Sequence, residues 1–375
     1  MRKIGVEEEL MLVDPQTGEL AAVAKQALRA HEELVRQEDQ DVDEDIVDQE
    51  AFLQQIETAT KPCTDLSELA EEIARGRHFA GRAAREAGAA AVAVPTPVVA
   101  AEEGLVTQKD RHQRILNEYG EMSRQSLVCG MHMHIDVHGE DEAVRVLDGI
   151  RPWLPVLLAL SANSPYWHGR DTNFASWRSQ VWGRWPSSGP AEPFESSKEY
   201  RRTLEKMVEW GAAADEGMLY LDTRVAKDYP TIEVRVADVC TEVEDAILIA
   251  SLARALVETA ASGTTGPAWR SDLLRAASWR AARHGLASTL VNPATEDLAP
   301  VRDVFEALRA HTEGALRDAG DWDWTADAFE RLLAQGTGAA RQRAAFEASG
   351  SVEGVVKDLI ERTEGSWHEP RRVAS

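Results

Sequence analysis

Along residues 2–13 apolar and polar positions alternate, with Val6, Glu8 and Leu10 on one parity and Glu7 and Glu9 on the other. A period of two is the mark of a strand, and Asp14-Pro15-Gln16-Thr17-Gly18 supplies a turn after it. Residues 51–60, 127–138 and 231–239 read as further strands, and 92–94 as a short buried one stopped by Pro95-Thr96-Pro97. Helical spacing is different. Leu66, Leu69, Ile73 and Phe79 form a stripe that starts at Asp65 or Ser67 and runs to about Ala90. Helices are also predicted over 109–125 and 141–161, and 241–363 is mostly helical and rich in Ala, Leu and Arg. Clean period-two strands followed by an all-helical tail favour an α+β class with an antiparallel sheet over a parallel α/β fold.

Between 161 and 194 the pattern breaks down. That segment carries Trp167, Trp177, Trp182 and Trp185 with Arg170, Arg178 and Arg184. Long irregular stretches inside a domain are usually functional loops.

The length of 375 residues fits one large domain spanning 1–375, and 43% hydrophobic residues suffice for a sizeable core. No apolar run is long enough for a membrane span, and the charged start Met1-Arg2-Lys3 does not resemble a signal peptide, so a cytoplasmic protein is expected. The net charge of −23 excludes nucleic acid as a partner, because phosphate-backbone binding needs a basic footprint. An anionic cosubstrate would need divalent cations beside it. Cys63, Cys129 and Cys240 are few and far apart, giving neither a disulfide framework nor a metal-binding pattern. They fit a reducing compartment.

Candidate chemistry lies on the polar parity of the strands. Glu7 and Glu9 share a face about 7 Å apart. They either form the wet face of an edge strand or hold a divalent cation, which would remove the cost of burying two carboxylates. His132, His134 and Asp136 share a face of 127–138, with Met131, Met133, Ile135 and Val137 opposite. Each histidine is open to a structural or a functional role. Glu233 and Arg235 share a face of 231–239, with Ile232, Val234 and Val236 directed to the core. They form either a surface salt bridge or a site in which the guanidinium grips a phosphate or carboxylate. Leu53, Gln55 and Glu57 share a face in 51–60, whereas Glu50, seven residues before Glu57, reaches the same side only through a bend or bulge. Three separate strands with acid, His or Arg on one face and aliphatic residues on the other suggest one charged site.

In their order along the chain, five segments resemble the glutamate–cysteine ligases, in the subgroup called carboxylate–amine ligases. They are Gly5-Val6-Glu7-Glu8-Glu9, Gln54-Gln55-Ile56-Glu57-Thr58, Cys129-Gly130-Met131-His132-Met133-His134, Ser161-Ala162-Asn163-Ser164-Pro165-Tyr166 and Ile232-Glu233-Val234-Arg235. The resemblance covers roughly residues 1–290, and two of the motifs look like strands of glutamine synthetase. It implies a curved antiparallel sheet forming a funnel, with helices on its convex face. It implies Mg²⁺ or Mn²⁺ held by Glu7, Glu9, Glu50, Glu57, His132 and Glu233. Arg235, Glu57 and Glu233 would be catalytic, and Arg235, His134 and Arg178 would contact ATP. The implied reaction joins the side-chain carboxylate of L-glutamate to an amine, L-cysteine first, through an acyl phosphate. A homo-oligomer is compatible with that fold. The segment 279–284 also looks family-like, with no role assigned. Competing readings are another amine acceptor, a guanidino-type phosphotransferase, which would consume ATP without joining two substrates, and a catalytically idle binding protein.

Overall fold

The alternating segments become neighbouring strands of one antiparallel sheet in a computed structural model describing residues 1–37, 46–100, 104–107, 110–264 and 267–368. The strands are β1 (Ile4–Val13), β2 (Val47–Asp48), β3 (Gln55–Ala59), β4 (Ala90–Val92) and β5 (Gly130–Asp136). A two-strand hairpin, β6 (Tyr166–Trp167) and β7 (Arg170–Asp171), stands apart, and β8 (Thr223–Val225) and β9 (Thr231–Asp238) complete the sheet. The order across it is β2-β3-β1-β5-β9-β8, with β4 also pairing β1. Register does the essential work. Glu9 stands opposite Glu57, Glu7 opposite His132, His134 opposite Glu233, and Glu233 opposite Arg224. Directly opposed residues project to the same side of a sheet, so the polar parity of five strands forms one charged row.

The helices are α1 (Ala24–Gln37), α2 (Leu66–Glu86), α3 (Asp110–Tyr119), α4 (Glu121–Arg124), α5 (Glu140–Ile150), α6 (Leu154–Ser161), α7 (Arg178–Trp182) and α8 (Ser197–Glu209). They continue with α9 (Val243–Ala261) and α10 (Ser271–His284), and then α11 (Val301–His311), α12 (Glu313–Ala319), α13 (Trp322–Gln335), α14 (Gly338–Ser349) and α15 (Val352–His368). Asp65 caps α2 by accepting the Ser67 and Glu68 amides, as expected of such a residue at a helix start. Ile4, Val6, Met131, Met133, Ile135, Ile232 and Val234 pack against α5, α6 and α9 through residues such as Leu147, Leu157 and Leu252. Each such buried aliphatic side chain is worth roughly 1.5–3 kcal/mol. Among the described residues no helix is long and apolar enough to cross a membrane.

Several boundaries differ from expectation. The strand predicted over 51–60 begins only at Gln55, because a turn occupies 51–54. The helix over 109–125 divides at Gly120, whose φ of 56° is a left-handed conformation open to glycine. That over 141–161 divides into α5, a 3₁₀ turn at Arg151–Trp153 and α6, where Pro152 and Pro155 withhold backbone donors. Between the pairs Met133–Val234 and Met131–Ala237, two residues of β9, Arg235 and Val236, oppose one of β5, His132. This bulge flips the parity, so Ala237 takes the core position and Val236 is only half-buried. α1, β8 and α8 have no counterpart in the sequence reading.

Glu8 lies on the helix-covered face, where Arg77 of α2 donates to both its oxygens at 2.8 and 2.6 Å. The same guanidinium donates to the carbonyls of Cys240 and Thr241. Both side chains are at most 1% exposed. Removing one partner strands a charge in the core, so Arg77→Met should lower stability by about 3–5 kcal/mol in denaturant unfolding. The double variant with Glu8→Met should recover much of that loss. A single variant as stable as wild type would mean the pair carries no such constraint.

Candidate functional site

On the face away from the core, the charged row lines a cavity of about 240 Å³ that includes Glu7, Glu9, Glu50, Glu57, His132, Arg224 and Arg235. Oxygens or ring nitrogens of Glu7, Glu57 and His132 lie within 4.8 Å of one another, as do those of Glu9, Glu50 and Glu57. The two triplets share Glu57. Glu50 comes in from the loop before β3, because the turn at 51–54 supplies the bend its spacing demands. Its Oε2 accepts the Ala51 amide at 2.5 Å. Glu9 Oε2 accepts the Gly130 amide at 2.5 Å.

Crowding sets the protonation of these groups. Burial, then the charge of Glu9, pushes the Glu50 carboxyl up to about 7. Burial, followed by Glu50, Glu7 and Glu9, raises Glu57 well above the usual carboxylate range. Burial also acts to raise Glu7, but hydrogen bonds with His132 and His134 outweigh it and hold Glu7 well below that range. His132 Nδ1 lies 3.4 Å from Glu7 Oε2, and its Nε2 lies 3.9 Å from Glu9 Oε1. Burial and Arg235 depress the His132 imidazole, keeping it neutral and able to donate a lone pair. Without a cation, then, the cluster lowers its negative charge by holding protons on Glu50 and Glu57.

His134 Nε2 lies 3.2 Å from Glu7 Oε1, and its Nδ1 lies 3.2 Å from Thr231 Oγ1. Glu233 joins neither triplet. Arg224 Nε and Arg235 Nη1 donate to its Oε2 at 2.8 and 2.6 Å. Its Oε1 has no hydrogen bond among the described residues. Burial opposes ionisation of Glu233, but Arg235 and Arg224 prevail and lower its pKa. Arg235 stands at the β9 bulge, its amide held by the Asp222 carbonyl at 2.9 Å.

Arg178 does not line this cavity. It is buried beside Gly130, where a Cβ would overlap its guanidinium, so the glycine of the Gly130-Met131-His132 run makes room for an arginine from α7. Arg184 instead donates to Gln125 at 3.0 Å, and Arg170 is exposed in β7. Asp136, on the His132 parity, accepts the Lys3 amide at 3.2 Å and lies outside the cavity. Trp182 and Trp185, from the irregular segment, pack with Tyr220 to form the cavity's aromatic wall. The three cysteines are buried. Burial pushes the Cys63 thiol up to about 12 and raises Cys129 and Cys240 well above the usual thiol range, so none is a ready nucleophile.

Arg224, Tyr220 and Asp222 were missed. Leu219, Leu221, Thr223 and Val225 alternate with Tyr220, Asp222 and Arg224, the same period-two signal that marked the other strands. Arg111, also at the cavity, is held by Asp215 at 2.8 and 2.9 Å. No local pattern announces it.

The family model "Glutamate-cysteine ligase family 2" matches residues 3–358. A Nocardioides protein provisionally named glutamate–cysteine ligase 2-1 is 46% identical over 375 residues, covering 98% of both chains. A Streptomyces avermitilis protein of the same provisional name is 44% identical, covering 97% of this chain and 100% of the other. In fold, the chain is similar to a bifunctional glutathione synthetase from Pasteurella multocida, with a TM-score of 0.71 at 17% identity. That alignment covers 98% of this chain but only 53% of the longer one. It is also similar to a glutamate–cysteine ligase from Francisella tularensis solved with AMP, with a TM-score of 0.68 at 13% identity and 100% and 90% coverage. By full-length family match and by relatives above 40% identity, the chain belongs to glutamate–cysteine ligase family 2.

Proposed function

We propose that the 375-residue chain is one catalytic unit that joins the side-chain carboxylate of L-glutamate to an amine at the cost of ATP, with L-cysteine as first acceptor. The observation that carries this is the convergence of Glu7, Glu9, Glu50, Glu57 and His132 on one cavity that Arg235 also enters. Family membership supplies the substrate class. The curved, funnel-forming sheet and the reducing, cytoplasmic setting belong to the same reading.

The donor set fits a hard divalent cation. Carboxylate oxygens with a single imidazole suit Mg²⁺ or Mn²⁺ rather than a thiolate-seeking metal. Glu7, Glu57 and His132 would hold one such ion, and Glu9, Glu50 and Glu57 a second. Glu233 would contribute Oε1, the oxygen its arginines leave free. When bound, these ions would neutralise the terminal phosphates of ATP in an otherwise anionic pocket.

A carboxylate is a poor electrophile. Phosphorylation by ATP would convert it to an acyl phosphate, the amine would then attack the acyl carbon, and inorganic phosphate would leave. Arg235 lies where its guanidinium can meet the transferred phosphoryl group, and Glu233 fixes its direction. His134 would brace Glu7 through Oε1, the oxygen His132 does not contact. The chain's contribution is placement and charge balance rather than covalent catalysis.

Phosphate release from Mg-ATP with L-glutamate, screened over amines including L-cysteine and followed by mass spectrometry of the product, tests the reading. A γ-glutamyl amide is expected. A stable phosphorylated guanidine with no joined product would identify a phosphotransferase instead. Glu57→Gln and Glu233→Gln should each lower turnover by about 100-fold or more while the far-ultraviolet spectrum stays native. Wild-type turnover in both would remove the cation assignment.

The acid cluster also makes stability depend on pH. Glu50 moves from 4.5 to about 7 on folding. Between those values the folded chain holds a proton that the unfolded chain has lost. Metal-free protein should therefore lose stability as pH rises through this window, by up to about 1.4 kcal/mol per pH unit for one proton. Glu50→Gln should flatten that slope. Mg²⁺ at 100 times its dissociation constant should add about 2.7 kcal/mol at neutral pH. Denaturant unfolding with chelator or Mg²⁺ reads all three effects. A flat profile with no response to Mg²⁺ would contradict the cluster's role.

A further inference from the structure

On the other side of Arg235 lies a second cavity, of about 310 Å³, between α7, the stretch before β8, and α10. It shares Trp182, Tyr220 and Arg235 with the acidic cavity. Its volume is at the low end for small-molecule sites, roughly 300–1,000 Å³.

Its charges are unfinished. Asp222 is half-buried, and its carboxylate has no hydrogen bond or ion pair among the described residues. Burial pushes it up to about 7, against the pull first of Arg275 and then of Arg178. Arg178 is only 3% exposed, yet its Nε has no partner, and its Nη2 reaches just the Arg235 carbonyl at 3.4 Å. Arg275, on α10 in the turn before Trp279, has no ion pair among the described residues. A buried carboxylate and a buried guanidinium left without full partners each cost free energy. One ligand carrying both an ammonium and a carboxylate would satisfy them together.

We propose that this cavity is the receptor for the α-amino-acid head of the carboxylate substrate, with Asp222 taking the α-ammonium and Arg178 and Arg275 the α-carboxylate. Its side-chain carboxylate then extends toward Arg235, which lines both cavities and so stands where substrate and nucleotide phosphate meet. The assignment rests on the ligase reading for the identity of the reacting carboxylate. It also gives Asp222 a chemical reason to be an anion. An α-amine kept as ammonium has no lone pair with which to attack the activated side chain of its own molecule. The segment 279–284, family-like but without a role in the sequence reading, thereby gains a setting, since Trp279 forms part of the cavity wall.

The test compares kcat/KM for L-glutamate, glutarate, which lacks the α-amine, and 4-aminobutyrate, which lacks the α-carboxylate. Wild type should favour L-glutamate over each by about tenfold or more. Asp222→Asn should lose the preference over glutarate and keep that over 4-aminobutyrate, and Arg275→Gln should do the reverse. Arg275 is exposed, so its variant provides the test even if Asp222→Asn does not fold. Calorimetric titration of L-glutamate into the nucleotide-free chain separates the two proposals. Binding that Asp222→Asn abolishes, with no turnover of any amine, upholds the receptor and removes the ligase reading. Turnover of L-glutamate with wild-type preferences in both variants upholds the ligase and overturns the receptor. Neither binding nor turnover overturns both.

Discussion

Like charges gathered on one face of a sheet are the constraint on which the rest of this molecule depends. Glu9 and Glu57 are direct cross-strand neighbours, Glu7 sits one parity step along, and Glu50 joins from a loop. Carboxylates directly opposed in a sheet repel, and partial burial amplifies the repulsion. A chain of net charge −23 has little surplus positive charge to spend there. The cationic side chains that reach the site are already engaged, Arg224 and Arg235 by Glu233 and Arg111 by Asp215. Protons on Glu50 and Glu57 are one remedy, and divalent cations are the other. Only the second leaves a surface that attracts the phosphates of a nucleotide.

Such a face has to be held rigidly, because relaxation would simply let the acids separate. The opposite parity of the same strands does this. Ile4, Val6, Met131, Met133, Ile135, Ile232 and Val234 are locked against α5, α6 and α9, and Glu8 is clamped by Arg77 to the chain around Cys240 and Thr241. One strand therefore carries Glu8 as part of its structural anchorage and Glu7 and Glu9 on the side that lines the cavity. Supporting interactions of this kind let a polar site stay preorganised. Asp238 serves the same end from β9. Its carboxylate accepts the Asn163 amide and the Ser164 and Ser176 hydroxyls at 2.8, 2.7 and 2.9 Å, and Ser164 in turn accepts the Arg178 amide that starts α7.

What the sequence made legible follows from where each feature is encoded. Parity along β1, β5 and β9 is local, so Glu7, Glu9, His132, Glu233 and Arg235 were readable as face-sharing residues. Their meeting is not local. It depends on the register that sets Glu7 against His132 and His134 against Glu233, which alternation alone cannot specify. Glu50 was readable only as a residue needing a bend, and the turn at 51–54 is that bend. Val236 was misplaced because a bulge leaves no mark in the hydrophobic pattern. Arg178 was grouped with the nucleotide side, yet its position is decided by Gly130, 48 residues earlier, where the lack of a side chain admits the guanidinium. Asp222 and Arg224 lay in a short alternating stretch that was overlooked although its signal was of the usual kind.

The β9 bulge connects these features to the chemistry. In a regular strand Glu233 and Arg235 would simply share one face. Arg235 keeps its ion pair with Glu233, its backbone continues the β8–β9 pairing to Asp222, and its guanidinium borders both cavities. Transfer of a phosphoryl group to a carboxylate requires two anions to approach each other. In the proposed reaction, a cation that lines both cavities would lower that barrier. Displacing Arg235 by one residue along a regular strand would turn its side chain into the aliphatic core, where its charge would have no partner.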